Sequence, residues 1–335
     1  MSATMPGSLQ IPAFLVAEGL VADPASVRLE PLAGGVSSDI WLVTAGTRTL
    51  VVKQPLLQLK VADDWQAPLS RSHSEARWLE EVSRLVPGAC PRVLAFDPVA
   101  NVLVLEYLDP DAHTLWKADL MAGRLDLVVA SAVGDRLGTI HELTSADPGL
   151  AEEFANDDLF VTLRIEPYLL RLVHHHPELA DPVAALVDTT MSQRSALVHG
   201  DASPKNILIG PDGPVFLDAE TAWWGDPAFD VAFCLNHLLL KSLLPGAPVD
   251  ALLASVDALV SSYVAHVSWE DAGDLLQRVA ALVPALLLAR VDGRSPVEYL
   301  GEAERAFVRA FALPRIVHPP ATLVEITSAW KESLA

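Results

Sequence analysis

Residues 197–220, LVHGDASPKNILIGPDGPVFLDAE, set three polar groups beside apolar strand patterns, at a spacing suited to phosphoryl transfer. Asp201 follows His199 and Gly200, Asn206 comes five residues after Asp201, and Asp218 comes twelve residues after Asn206, at the end of the run Pro214-Val215-Phe216-Leu217. A carboxylate at Asp201 would orient an attacking hydroxyl and take its proton. Asn206 and Asp218 offer hard oxygen donors, which suit Mg²⁺ held against nucleotide phosphates. His199 reads as a hydrogen-bonding support for this loop. Glu220 continues the strand alternation of Asp218 and would point the same way, toward a metal-bound water or the substrate. Trp223 and Trp224 could wall the site or pack in the core. Asp226 reads as a helix cap and Asp230 as an anchor beneath the loop.

The first third of the chain adds candidates for nucleotide binding. Gly34-Gly35-Val36-Ser37-Ser38 lies between two strand patterns. Backbone N–H groups of Gly34, Gly35 and Ser37 could approach phosphates there, and a plain hairpin turn would look the same. Lys53 ends the apolar strand Thr49-Leu50-Val51-Val52, where a charge is out of pattern. It could bind phosphates as a point charge, or lie on the surface of an edge strand. Glu75 on the next helix could hold the Lys53 ammonium; Glu80 and Glu81 are rivals nearer solvent. Glu106-Tyr107-Leu108 precedes Asp109-Pro110, and the backbone of Glu106 and Leu108 could meet an adenine edge.

The elements that must position these groups change character along the chain. Residues 26–55 show strand alternation with Gly turns, 70–86 a helix with Ser70 or Ser72 as cap, and 91–108 a hairpin turning near Asp97-Pro98. From about residue 115 the pattern is mostly helical. The class is therefore α+β, with a small sheet lobe over residues 1–108 and a larger helical lobe over 109–335. The chain has 335 residues, 51% of them hydrophobic, enough for a large core. Its apolar stretches are interrupted by Pro284, Arg290, Asn236, His237 and Lys241, which predicts buried helices rather than membrane spans. The N-terminus shows no secretory pattern, and Cys90 and Cys234 form no disulfide or metal spacing, so a cytoplasmic location is expected. A net charge of −20 argues against nucleic acid and anionic membranes as partners. Arg290 interrupts an apolar helix, where it could meet an anionic or hydroxyl-rich substrate or simply close the helix end.

Together, HGDASPKN and LDAE resemble the aminoglycoside phosphotransferase and choline kinase-like family, over roughly residues 25–310. The resemblance implies a protein-kinase-like two-lobed fold and an ATP- and Mg²⁺-dependent transfer to a hydroxyl of a small molecule. The stretch VVKQPLLQLKVADDWQAPLSRSHSEARWLEEV and the form Asp218-Ala219-Glu220 are similar to 5-methylthioribose kinases, which also suggests a homodimer. Two features depart from that subgroup. Asn206 follows the wider family, and the substrate-binding arginine pair is reduced to Arg290 followed by Val291. A sugar or polyol is therefore the first expectation for the acceptor, with 5-methylthioribose as the alternative. A reading of another class, a catalytically silent nucleotide-binding regulator, is opposed by the completeness of Lys53, Glu75, Asp201, Asn206 and Asp218.

Overall fold

A computed structural model describes residues 10–32, 37–58 and 65–334. Helix α1 (Ile11–Ala17) precedes strands β1 (Arg28–Pro31), β2 (Ser38–Ala45) and β3 (Arg48–Pro55). Helix α2 (Arg71–Leu85) then leads to β4 (Val93–Asp97) and β5 (Val102–Glu106). These strands form one antiparallel sheet in the order β1-β2-β3-β5-β4. The β4–β5 turn closes where the sequence places it. Asp97 Oδ1 accepts from Val99 N at 2.8 Å and Ala100 N at 3.0 Å, a local bond that favours the turn over a longer strand.

Alternation along β5 divides the sheet between two cores. Val102 and Val104 join Ile11, Leu15, Trp41, Val43 and Val52 on one face. Leu103 and Leu105 join Ala76, Leu79 and Val82 of α2 on the other, and that core is continuous with the helical part. The sheet is thereby fixed to the rest of the molecule through α2. Ser70 stands at the N-cap of α2 with no capping side-chain bond, and the Ser72 hydroxyl donates to Leu69 O instead, so neither serine caps the helix as expected.

Beyond the sheet come β6 (Thr114–Leu115), α3 (Trp116–Met121), α4 (Leu127–Ser145), α5 (Pro148–Glu153) and α6 (Asp157–Phe160). A π-helix spans Val161–Leu170, followed by α7 (Arg171–His175) and α8 (Ala180–Ser192). The loop segment holds β7 (Ala196–Val198), β8 (Ile207–Gly210), β9 (Gly213–Phe216) and β10 (Trp223–Gly225). The remaining helices are α9 (Pro227–Lys241), α10 (Val249–Val264), α11 (Ala272–Asp292), α12 (Glu302–Val317) and α13 (Leu323–Leu334). By length and composition α11 could cross a membrane, and it is the one such helix among the described residues. Here it lies in the core, with Leu282 through Val291 all buried.

Helices α4 and α10 pack close enough to exclude a side chain. A Cβ on Gly134 would stand 2.0 Å from the Leu259 carbonyl oxygen. The same helix α4 carries His141, which contacts both Tyr263 of α10 and Asp230 of α9. We expect Gly134→Ala to force the helices apart and cost about 3 kcal/mol in a urea denaturation experiment. A loss below about 0.5 kcal/mol would show that the crossing yields freely.

Candidate active site

Lys53 is the point where the sheet, α2 and the loop segment meet. It lies on β3, between β2 and β5, and is 7% exposed, which removes the edge-strand surface alternative. Its Nζ donates to Glu75 Oε1 at 2.5 Å and to Asp218 Oδ1 at 2.8 Å. Burial would push the Lys53 ammonium down, but Asp218, Glu75 and Glu220 outweigh burial and hold it above its ordinary value. Burial raises the Glu75 carboxyl, with Lys53 pulling the other way. The rivals Glu80 and Glu81 pair instead with Arg77 and Arg84 near the surface.

The loop after β7 is fixed from beneath. Asp230 accepts from His199 N at 2.7 Å and from Gly200 N at 2.8 Å. Gly200 has φ +75°, and a Cβ there would meet the Thr221 carbonyl oxygen at 2.6 Å, so glycine is required. His199 Nδ1 accepts from Asp201 N while its Nε2 faces Leu217 O at 3.1 Å. The ring is thus committed to the backbone on both sides, and burial lowers its pKa. These contacts aim Asp201. Its Oδ2 meets Arg164 Nη2 at 3.0 Å and Lys205 Nζ at 2.8 Å. Its Oδ1 is buried with no hydrogen-bond partner among the described residues. Burial would raise this carboxyl, but Lys205 and Arg164 outweigh it and keep Asp201 ionised.

Asn206 and Asp218 face the same space. Asn206 Nδ2 donates to Asp201 O at 3.1 Å, which leaves its Oδ1 as the oxygen available to a cation. Leu217 N donates to Asn206 O at 2.8 Å and ties the two loops together. Asp218 has φ +66°, a strained left-handed backbone for a non-glycine residue. Burial would raise its carboxyl, but Lys53 and Lys205 hold it well below the usual range. Among the described residues no three His, Cys, Asp or Glu side chains form a metal cage. The donor set still fits Mg²⁺, which keeps several waters and is usually held by one or two protein oxygens together with substrate phosphates.

Glu220 reaches the site by a different route from the one its spacing predicts. Strand β9 ends at Phe216, so no alternation relates Glu220 to Asp218. A turn brings it instead to Arg71 Nε at 3.0 Å. The buried Arg71 also donates to the carbonyls of Ser37, Leu56, Ala67 and Pro68. Burial, with Asp218 nearby, raises the Glu220 carboxyl against the pull of Arg71.

The other sequence candidates fall in varied places. Gly34 and Gly35 lie outside the described residues. Glu106 N donates to Arg92 O at 3.0 Å and the Glu106 carboxylate takes Arg92 N and Nε, so neither group of Glu106 is available to a base. Trp223 is fully buried, with its ring stacked on Phe160 at 4.1 Å, because β10 pairs with β7 inside the helical core. It packs there and does not wall the cleft. Arg290 donates to Tyr168 Oη at 3.1 Å and Ser295 Oγ at 3.2 Å, not to the loop around Asp201. Sequence reasoning missed Arg164 and Arg71. The first is a cation in the apolar run Phe160-Val161-Thr162-Leu163-Arg164-Ile165, the same signal that marked Lys53. For Arg71, in a polar stretch, no such signal exists.

The model of the phosphotransferase enzyme family matches residues 28–257, an interval that holds all of these side chains except Arg290. The chain belongs to that family. It is 30% identical over 225 residues to a methylthioribose kinase of Erwinia tasmaniensis, covering 59% of this chain and 56% of that protein. It is 28% identical over 272 residues to the methylthioribose kinase of Yersinia pseudotuberculosis, covering 70% of this chain and 65% of the relative. The chain thus spans little more than half to two thirds of those curated relatives. A choline/ethanolamine kinase family protein from Mesorhizobium loti shares the fold at 16% identity, with a TM-score of 0.53 over 97% of this chain and 99% of that one.

In Arg71→Ala, Glu220 is left buried without its cation, which costs about 3 kcal/mol at pH 8. The raised Glu220 carboxyl becomes neutral as pH falls, so the loss should shrink at pH 5 in chemical denaturation. An equal loss at both pH values would mean that the carbonyl contacts of Arg71 matter and its charge does not.

Proposed function

We propose that this protein is an ATP- and Mg²⁺-dependent kinase that phosphorylates a hydroxyl of a small metabolite, a sugar or polyol. The observation that carries the reading is the buried Asp201 carboxylate. One of its oxygens is held by two cations, and the other has no partner among the described residues. An acceptor hydroxyl is the donor that fits this oxygen. The hydroxyl oxygen bonds to the γ-phosphorus as the bond to the β–γ bridging oxygen breaks, its proton passes to Asp201, and ADP leaves.

Lys53 is positioned to neutralise phosphate charge, with Glu75 fixing its ammonium. Asn206 and Asp218 would hold Mg²⁺, which supplies charge neutralisation on the phosphates when bound. Arg164 and Lys205 keep Asp201 ionised and oriented; they are positioning residues in this scheme. The gain is chiefly one of placement and electrostatics. The 28–30% identity to methylthioribose kinases supports 5-methylthioribose as the second acceptor reading.

ADP release should be measured with Mg·ATP against 5-methylthioribose, pentoses, hexoses, polyols, choline, ethanolamine and homoserine. We expect release that depends on one acceptor and falls about 10³-fold or more in Asp201→Asn, while nucleotide binding remains. Full activity in Asp201→Asn would remove the assigned base. ATP binding without release for any acceptor would favour a regulatory protein.

A further inference from the structure

Helices α9 and α11 hold a second group of buried polar side chains. His237 and Lys241 are one turn apart on α9, Arg290 lies in the last turn of α11, and Ser295 and Tyr299 follow it. His237, Lys241 and Arg290 are 6%, 1% and 7% exposed, whereas Ser295 and Tyr299 are half-buried. Among the described residues, Arg290 donates only to the hydroxyls of Tyr168 and Ser295. Lys241 Nζ reaches the His237 carbonyl at 3.4 Å and sits 5.3 Å from the centroid of the Tyr299 ring. Among the described residues, Arg290 Nε, His237 Nε2 and the Tyr299 hydroxyl have no hydrogen-bond partner.

Charge balance sets this group apart. Lys53, Arg71, Arg164 and Lys205 each have a carboxylate within 3.0 Å. Arg290 and Lys241 are buried like Lys53, Arg71 and Arg164, unlike the exposed Lys205, and have no carboxylate partner among the described residues. Burial pushes Lys241 down to about 7, with Lys117 of α3 and Arg290 of α11 adding to the effect and Cys234 of α9 and Glu298 opposing it. Glu298 is itself paired with Lys117 at 2.5 Å. Burial, Arg290 and Lys241 hold His237 well below its usual value, so it is neutral. A buried cation without a counter-ion is costly, and Lys241 beside Arg290 is accordingly driven toward its neutral form.

One aromatic layer joins this group to Asp201. Arg164, which pairs with Asp201, has its guanidinium carbon 5.6 Å from the Tyr168 ring centroid, and the Tyr168 hydroxyl takes Arg290. The Phe233 ring lies 5.4 Å from Tyr168 and 5.8 Å from His237.

We infer that His237, Lys241, Arg290 and Tyr299 form an anion subsite, so that the phosphate acceptor is a hydroxyl compound carrying a carboxylate or a phosphate monoester. The word acceptor rests on the kinase reading above; the anion subsite does not. Arg290 can present a guanidinium fork and Lys241 a point charge, while His237 and Tyr299 add neutral donors.

Titration calorimetry on the full chain at pH 8, with matched probes, tests this. The pairs are glucose with glucuronate and glucose with glucose 6-phosphate. Inorganic phosphate and acetate serve as anions without a sugar skeleton, and 5-methylthioribose as a further neutral probe. We expect at least one anionic probe to bind about tenfold or more tightly than its neutral partner. Binding should take up a proton, seen as an enthalpy that varies with the buffer's ionisation enthalpy, because the anion restores the Lys241 ammonium. Lys241→Met should abolish the preference and the proton uptake while raising Tm; Arg290→Gln should abolish the preference with Lys241 intact. Equal or tighter binding of the neutral probes, or no binding of any anion at millimolar concentration, would overturn the inference. Anion preference without acceptor-dependent ADP release would keep the subsite and remove the kinase reading. ADP release to neutral acceptors alone would do the reverse.

Discussion

Lys53 is held between two carboxylates from different parts of the chain, Glu75 on α2 and Asp218 after β9. Removing three charges from water is unfavourable unless each finds its partner, so this contact dictates where the sheet, α2 and the loop segment sit relative to one another. The same rule extends outward. Arg71 carries Glu220, and Arg164 and Lys205 carry Asp201. The site is a charge-balanced set of ion pairs, buried except at the exposed Lys205, and each pair crosses from one element to another or closes a loop.

Apolar packing supplies the frame in which these pairs can be buried. β5 divides its side chains between two cores, and α2 belongs to the same core as the helices. The backbone of the Asp201 loop is held by Asp230, itself reached by His141 from α4. The strain at Asp218 is tolerated because Lys53 fixes its carboxylate and Leu217 is bonded to Asn206. Rigid support, not the reactive side chains alone, gives Asp201 an oxygen free for a donor.

Local patterns made part of this legible in the sequence. Alternation located β3 and β5, the Asp97 turn closed where expected, and the spacing from Asp201 to Asp218 marked the groups that the fold brings together. Lys53 was visible as a charge at the end of an apolar strand. What remained hidden was long-range. Arg71 and Glu220 are 149 residues apart, and no local rule pairs them. Glu220 was placed on a strand that ends at Phe216, because a left-handed residue at Asp218 leaves no trace in composition. Trp223 looked equally suited to a cleft or a core, and only the pairing of β10 with β7 decides for the core. Arg164 carried the same signal as Lys53, but on a helical pattern, where a single cation is easily read as a surface residue.

If the ion-paired site binds nucleotide, it should do so in a Mg²⁺-dependent way. A non-hydrolysable ATP analogue should be titrated calorimetrically into the protein with and without Mg²⁺, in wild type and in Asp218→Asn. Mg²⁺ should tighten binding about tenfold or more in wild type and have little effect in the variant. Binding indifferent to Mg²⁺, or an unchanged Mg²⁺ effect in Asp218→Asn, would contradict it.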